Sequence, residues 1–202
     1  NCYQLSAFDD ETTVHESTLT GNVCVEVPLN PPFADDFPID GPPDGAKWSD
    51  VTTAEVNQFA LNPPSAPSSL NLFQSENATS RPINMSGHGG EGYVLLYSKE
   101  QTGTGESPDA GNDLIVEMLN SNNVWDEVAR HLGSDPDETA FTTHVIGLDT
   151  LTPSSGTYFH SQFRIRFRDT GDAGSDDWFV DNVNMDIPNC QPTMTVAPLA
   201  VN

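Results

Sequence analysis

Two acidic residues sit at positions where apolar ones belong. Asp176-Asp177-Trp178-Phe179-Val180-Asp181-Asn182-Val183-Asn184-Met185-Asp186-Ile187 is rich in β-branched and aromatic residues and closed by Pro188, which predicts a strand. Side chains alternate between faces along a strand, so Phe179, Asp181, Val183, Met185 and Ile187 share one face, the predicted core face. The same parity places Asp35 between Phe33 and Phe37 in an earlier strand. An unpaired charge among apolar neighbours is very costly. Each carboxylate therefore needs an Arg, a cage of hydrogen bonds or a metal ion, unless a bulge or a frayed edge takes it out of the core. Arg164 and Arg166 are the cross-sheet partners available to Asp181. Among metals, calcium takes oxygen ligands and tolerates irregular geometry, whereas zinc asks for His or Cys, absent from both segments.

Other chemistry has weaker footing. Ser, His and Asp are present, but there is no GxSxG elbow, and the five histidines are scattered without HExxH. His88 and Glu91 lie in the Gly-rich turn Gly87–Gly92, where polar residues collect anyway. Glu106, Asp109 and Glu117 could furnish a glycosidase carboxylate pair. In a chain with 30 acidic residues such proximity arises by chance, so no hydrolase activity is expected. Trp48, Trp125 and Trp178 could form a sugar-stacking platform, Trp178 because its parity points away from the predicted core. Arg164, Arg166 and Arg168 form a basic stripe, which either pairs with acids on a neighbouring strand or binds an acidic glycan.

The elements that must position these residues are strands. Phe163, Ile165 and Phe167 alternate with the three arginines, the clearest period of two in the chain. They are expected to face the core with Leu95, Val116 and Phe179. Further strands are predicted at Phe33–Phe37, from Trp48, and at Ser69–Leu72, Ile83–Met85, Tyr93–Tyr97 and Phe141–Leu148. Leu114–Leu119 and Val124–Val128 flank Asn120-Ser121-Asn122-Asn123 as a hairpin. No helical period of 3.6 appears. Short strands with Gly, Pro and Asn turns imply an all-β antiparallel jelly-roll sandwich.

The totals set bounds. The chain has 202 residues and a formal net charge of −23. Such charge repels nucleic acid and anionic membrane surfaces. No apolar run approaches the roughly 20 residues that span a bilayer, so no membrane insertion is expected. Cys2, Cys24 and Cys190 lack CxxC spacing, and an exported protein would permit Cys2–Cys24 or Cys24–Cys190 pairing. Residues 1–30 read as an N-terminal arm or the end of a preceding module, 31–188 as the jelly-roll domain, and 189–202 as a linker or the start of a following module.

Several segments in order resemble the jelly-roll family of MAM domains, reelin-type repeats and bacterial cleaved-adhesin or choice-of-anchor J domains. They are Phe33-Ala34-Asp35-Asp36-Phe37, Trp48, Ser69–Leu72, Tyr93–Tyr97, Gly111–Glu117, Trp125, Phe163–Phe167 and Asp176–Val183. The likeness covers residues 33–187. The family opening usually reads Asp-Phe-Glu, and here Pro38 stands in place of the Glu. In this family the first and last core strands pair or pack together and related domains carry calcium nearby. The resemblance thus implies a structural Ca2+ joining Asp35 and Asp181, with Asp36 and Asp177 as further ligands. It also implies a non-catalytic extracellular or cell-surface module for adhesion or assembly, whose partner is a protein or glycan. The alternatives are a carbohydrate-binding module of a secreted enzyme, contacting ligand through Trp48, Trp125, Trp178, Arg164 or Arg166, and a subunit of a surface layer or fibre that self-associates through its terminal segments.

Overall fold

The computed structural model describes the side chains and backbone of residues 26–171 and 176–188, with Ser17 and the backbone of two short strands before them. Those two are β1 (Cys2–Tyr3) and β2 (Val23–Cys24), antiparallel, with Cys2 opposite Cys24 in the backbone register. The expected disulfides, Cys190 and the linker fall outside the described residues. The sandwich itself is built from β3 (Phe33–Asp35), β4 (Trp48–Thr52), β5 (Glu55–Asn57), β6 (Ser69–Leu72), β7 (Asn77–Ser80), β8 (Val94–Gln101), β9 (Leu114–Leu119), β10 (Trp125–His131), β11 (Thr142–Gly147), β12 (Ile165–Asp169) and β13 (Trp178–Asp186). A single 3-10 turn, Leu148–Thr150, is the only helical element among the described residues.

Two antiparallel sheets face each other, as the jelly-roll expectation requires. One has the order β10-β9-β12-β7-β4 and the other β11-β8-β13-β6-β5. β13 is the spine of the second sheet. It pairs with β8 along one side and, on the other, with β6 near its start and β3 near its end.

Alternation builds the core between the sheets. Ile165 and Phe167 of β12 point inward, joined by Val116, Met118 and Ala78 from the strands beside it. Leu95, Tyr97, Trp178, Val180, Val183 and Met185 meet them from the facing sheet. Residues 26–30, assigned to the arm, lie against this body: the Leu29 amide donates to Pro82 O (2.7 Å), and Glu26 ion-pairs with Arg81 and Arg164.

The expected parity of β13 needs correction. Its pairing with β8 shifts register between Asp181 and Asn184, and Asn182 takes φ 50°. This is a β-bulge, and it inverts which residues face inward. Trp178 and Val180 precede it and Val183 and Met185 follow it, yet all four lie in the core. Phe179 and Asp181 are buried on the opposite, outer face, opposite Glu100 and Ser98 of β8. Trp178 is therefore core, and Phe179 is not part of the inter-sheet core. A Cβ on Gly103 (φ 50°) would strike the Phe179 ring, so the 58–67 and 102–105 turns close over that side.

Candidate functional site

The bulge decides what the acidic residues can do. Asp35 pairs with Val183, so its side chain lies on the core face of the sheet. There it accepts hydrogen bonds from Lys47 Nζ (2.9 Å), Trp48 Nε1 (2.7 Å) and the Phe37 amide (3.3 Å). Asp181 lies on the outer face. It accepts from the Ser65 amide (2.8 Å), the Ser65 hydroxyl and the Asn182 amide (2.7 Å). Burial holds its carboxyl above the usual range, the Asp36 charge adds to this, and the Ser65 and Asn182 donors oppose it.

The four expected calcium ligands thus do not assemble. Asp35 and Asp181 point to opposite faces of one sheet. Asp177, before the start of β13, accepts from Asn71 Nδ2 (2.9 Å). Only Asp36 and Asp181 stand near each other. Among the described residues, no group of three or more His, Cys, Asp or Glu side chains is placed to hold a metal ion. The compensation is a hydrogen-bond cage at Asp181 and an ion pair at Asp35.

Arg pairing of Asp181 is not the answer either, because the arginine stripe belongs to the other sheet. Arg164 pairs with Glu26 (2.6 Å), and Arg166 and Arg168 both reach Glu117 Oε2 (2.7 and 3.2 Å). Arg166 stands directly across from Glu117 in the β12–β9 ladder, the cross-strand arrangement expected of the stripe. Glu117 is therefore a counterion. His88 bonds Glu91 (2.8 Å) within its turn.

The three tryptophans part company. Trp48 (2% exposed) packs between Phe33 and Phe37, and Trp178 (0%) donates to Asn112 O (2.9 Å). Trp125, half-buried at the start of edge strand β10, is the one left on the surface. The Arg166 guanidinium lies 4.1 Å from the centre of its ring, a cation–π contact that fixes the indole. Depressions flank it. One, of about 470 Å3, is lined by Trp125 with Asp126, Val128, Leu151, Ser154 and Tyr158. The other, of about 390 Å3, is lined by Trp125 with Glu26, Ser49, Asp50, Thr79 and Arg164. Asp126 is held below the usual carboxylate range: donors at Ser154, Asn120 and Tyr158 outweigh the opposing effect of burial. An aromatic plate beside carboxylates, hydroxyls and a guanidinium can stack an apolar sugar face and hydrogen-bond its hydroxyls.

Spacing gave no sign of one further cluster. Tyr97 Oη bonds His131 Nε2 (2.8 Å), and the rings of His131 and His144 lie 4.4 Å apart. β10 and β11, edge strands of opposite sheets, carry the two histidines, so the cluster seals one side of the sandwich. Burial, with the Lys99 and His144 charges, lowers the His131 pKa to about 3.

No family model matches the chain. No curated protein matches it either. Solved structures match its shape. A xylan-binding domain of carbohydrate-binding module family 22 has a TM-score of 0.50 at 8% identity, over 77% of this chain and 93% of that one. The C-terminal family 22 carbohydrate-binding module of Clostridium thermocellum Xyn10B also scores 0.50 at 8% identity, over 77% of this chain and 92% of its own. The K1 cleaved adhesin domain of Porphyromonas gingivalis Lys-gingipain scores 0.47 at 9% identity, over 78% and 99%. At such identities the likeness to the two binding modules is one of fold, and the fold is the jelly-roll sandwich.

Proposed function

We propose that this chain is a non-catalytic, extracellular binding module that attaches a larger secreted or cell-surface protein to glycan. Its contact surface is the outer face of the five-stranded sheet around Trp125. The observation that carries the reading is the Trp125 ring, fixed by Arg166 and flanked by two polar depressions. A ring already held in place loses little freedom on binding, which favours affinity. Arg166 occupies one ring face, so the sugar stacks on the other. Similar solved domains that carry the name xylan-binding support the glycan reading through a shared sandwich. A non-catalytic role agrees with Glu117 being tied to two arginines.

The test is affinity electrophoresis in gels containing soluble xylan, β-glucan or galactan. Retardation by at least one polymer is expected, and Trp125→Ala should remove it while the protein stays folded, its Tm lowered only by loss of the Arg166 contact and the half-buried ring. Retardation that survives the substitution would move the site elsewhere; none with any polymer would count against glycan and favour the adhesion reading with a protein partner. For that alternative, edge strand β11 pairs with β8 alone and carries Val145 at 61% exposure.

A further inference from the structure

At one end of the sandwich, where β7, β12 and the approach to β13 converge, three carboxylates are buried. Glu76, Asp169 and Asp176 are 1%, 1% and 3% exposed. The Asp169 amide donates to Glu76 O (2.9 Å), so these two are neighbours across β12 and β7. The Asn112 side-chain amide contacts Asp176 Oδ2. A Cβ on Gly171 would lie 3.0 Å from Asn112 Cγ and 3.1 Å from Asp169 Oδ2. Asp169 Oδ2 and the Asn112 carboxamide therefore share the space over Gly171, with Asp176 on the carboxamide's amide nitrogen.

One atom there is out of keeping with its surroundings. Asp169 Oδ1 accepts the Gly171 amide (2.9 Å), but Oδ2 is buried and has no hydrogen-bond partner. Glu76 Oε2 is occupied by the Phe73 amide (3.0 Å). No Lys or Arg among the described residues ion-pairs with Glu76 or Asp169. Burial raises the Asp169 carboxyl above its ordinary range and the Asp176 charge adds to this, against backbone donors. A buried carboxylate without a countercharge is among the costliest groups a fold can hold.

We propose that Asp169, Asp176 and the Asn112 side-chain oxygen bind a Ca2+ ion, with Glu76 adding negative charge beside it. The two carboxylates neutralise the ion, and Asp169 Oδ2 gains the partner it lacks. The Asn112 amide turns its oxygen inward, since a carboxamide presents either end. Two carboxylates and an amide suffice because waters and backbone carbonyls complete the six to eight oxygens calcium takes. The absence of imidazole and thiolate disfavours zinc, and the irregular donor set disfavours octahedral Mg2+. The site is distinct from the Asp36–Asp181 pair, which lies beyond the far side of the six-stranded sheet.

Metal-stripped protein melted in chelator and in excess Ca2+ supplies the test. Calcium at a hundredfold its Kd should raise the Tm by about 5–10 °C. Asp169→Asn should abolish the shift, and Asp181→Asn should keep it. In chelator Asp169→Asn should melt at or above the parent, because it removes an unmatched buried charge. Trp178 hydrogen-bonds Asn112 O, so excitation at tryptophan wavelengths should sensitise Tb3+ emission in the parent and not in Asp169→Asn. A parent with neither calcium shift nor Tb3+ emission overturns the proposal. So does a shift lost in Asp181→Asn and kept in Asp169→Asn, which would put the ion at Asp36–Asp181. Asp169→Asn melting below the parent in chelator overturns it as well, since the charge would then be compensated without an ion.

Discussion

Glu100 has one carboxylate oxygen bonded and one bare. It is 0% exposed; Oε2 accepts the Leu61 amide (2.9 Å) and Oε1 has no partner. Burial, with the Glu138 charge adding, pushes its pKa up to about 7. An acid whose folded pKa is raised weakens the fold once it ionises. Below about pH 4 it is protonated in both states and costs nothing; the penalty grows as pH rises to 7 and is then full. Glu100→Gln should therefore stabilise by about 2–3 kcal/mol at pH 8 and far less at pH 5, at about 1.4 kcal/mol per unit. His131 acts oppositely: its pKa of about 3 means stability is lost as pH falls below about 6.5. Variant and parent share that slope, so their difference isolates Glu100. Denaturant melts at the two pH values decide this, and an equal gain at both would remove Glu100 from the account.

At the scale of the element, the bulge in β13 is the decisive feature. Asn182 sits at φ 50°, a region that Asn and Gly enter easily and β-branched residues avoid. Asn182→Gly should be nearly neutral. Asn182→Val should cost about 1–2 kcal/mol by chemical denaturation, with Trp178 and Val183 both oriented to the core only while the bulge survives. Equal stabilities for the two variants would mean the bulge is not set at this residue. The same scale explains a strand with no apolar pattern. β7, Asn77-Ala78-Thr79-Ser80, lies between β12 and β4 and turns only Ala78 and Ser80 inward, opposite Phe167 and Trp48. Its small side chains leave room for large neighbours, so it carries little hydrophobic signal. Ile83, predicted as strand, instead makes isolated bridges to Leu29 and Phe163.

The whole molecule carries 30 acidic and 7 basic residues. Several of those bases are already paired, as at Arg166–Glu117 and Lys47–Asp35. The remaining acids repel one another over distances that salt screens, with a Debye length near 10 Å at 0.1 M. Raising NaCl from about 10 mM to about 500 mM should therefore raise the Tm by several °C in chelator-treated protein. A Tm that falls with salt would show that the ion pairs outweigh the repulsion.

Sequence by itself determined the fold class and the faces of the plainest strands. Period-two alternation is local chemistry, so Phe163, Ile165 and Phe167 were legible as core and the arginines between them as the solvent side. It also showed that Asp35 and Asp181 each need compensation, because the cost of a buried charge is the same in any fold. Only the tertiary structure decided which compensation each receives. One residue in αL at Asn182 inverts every later side chain in β13, and parity counting cannot see it. Without that inversion Trp178 and Val183 could not both face the core, and Asp181 would share the face of Val183 and its partner Asp35. Ser65, Lys47 and Arg166 reached their partners across gaps of 116, 12 and 49 residues, which chain order does not encode. The bare oxygen of Asp169 is likewise a product of packing, since strand, turn and loop meet there.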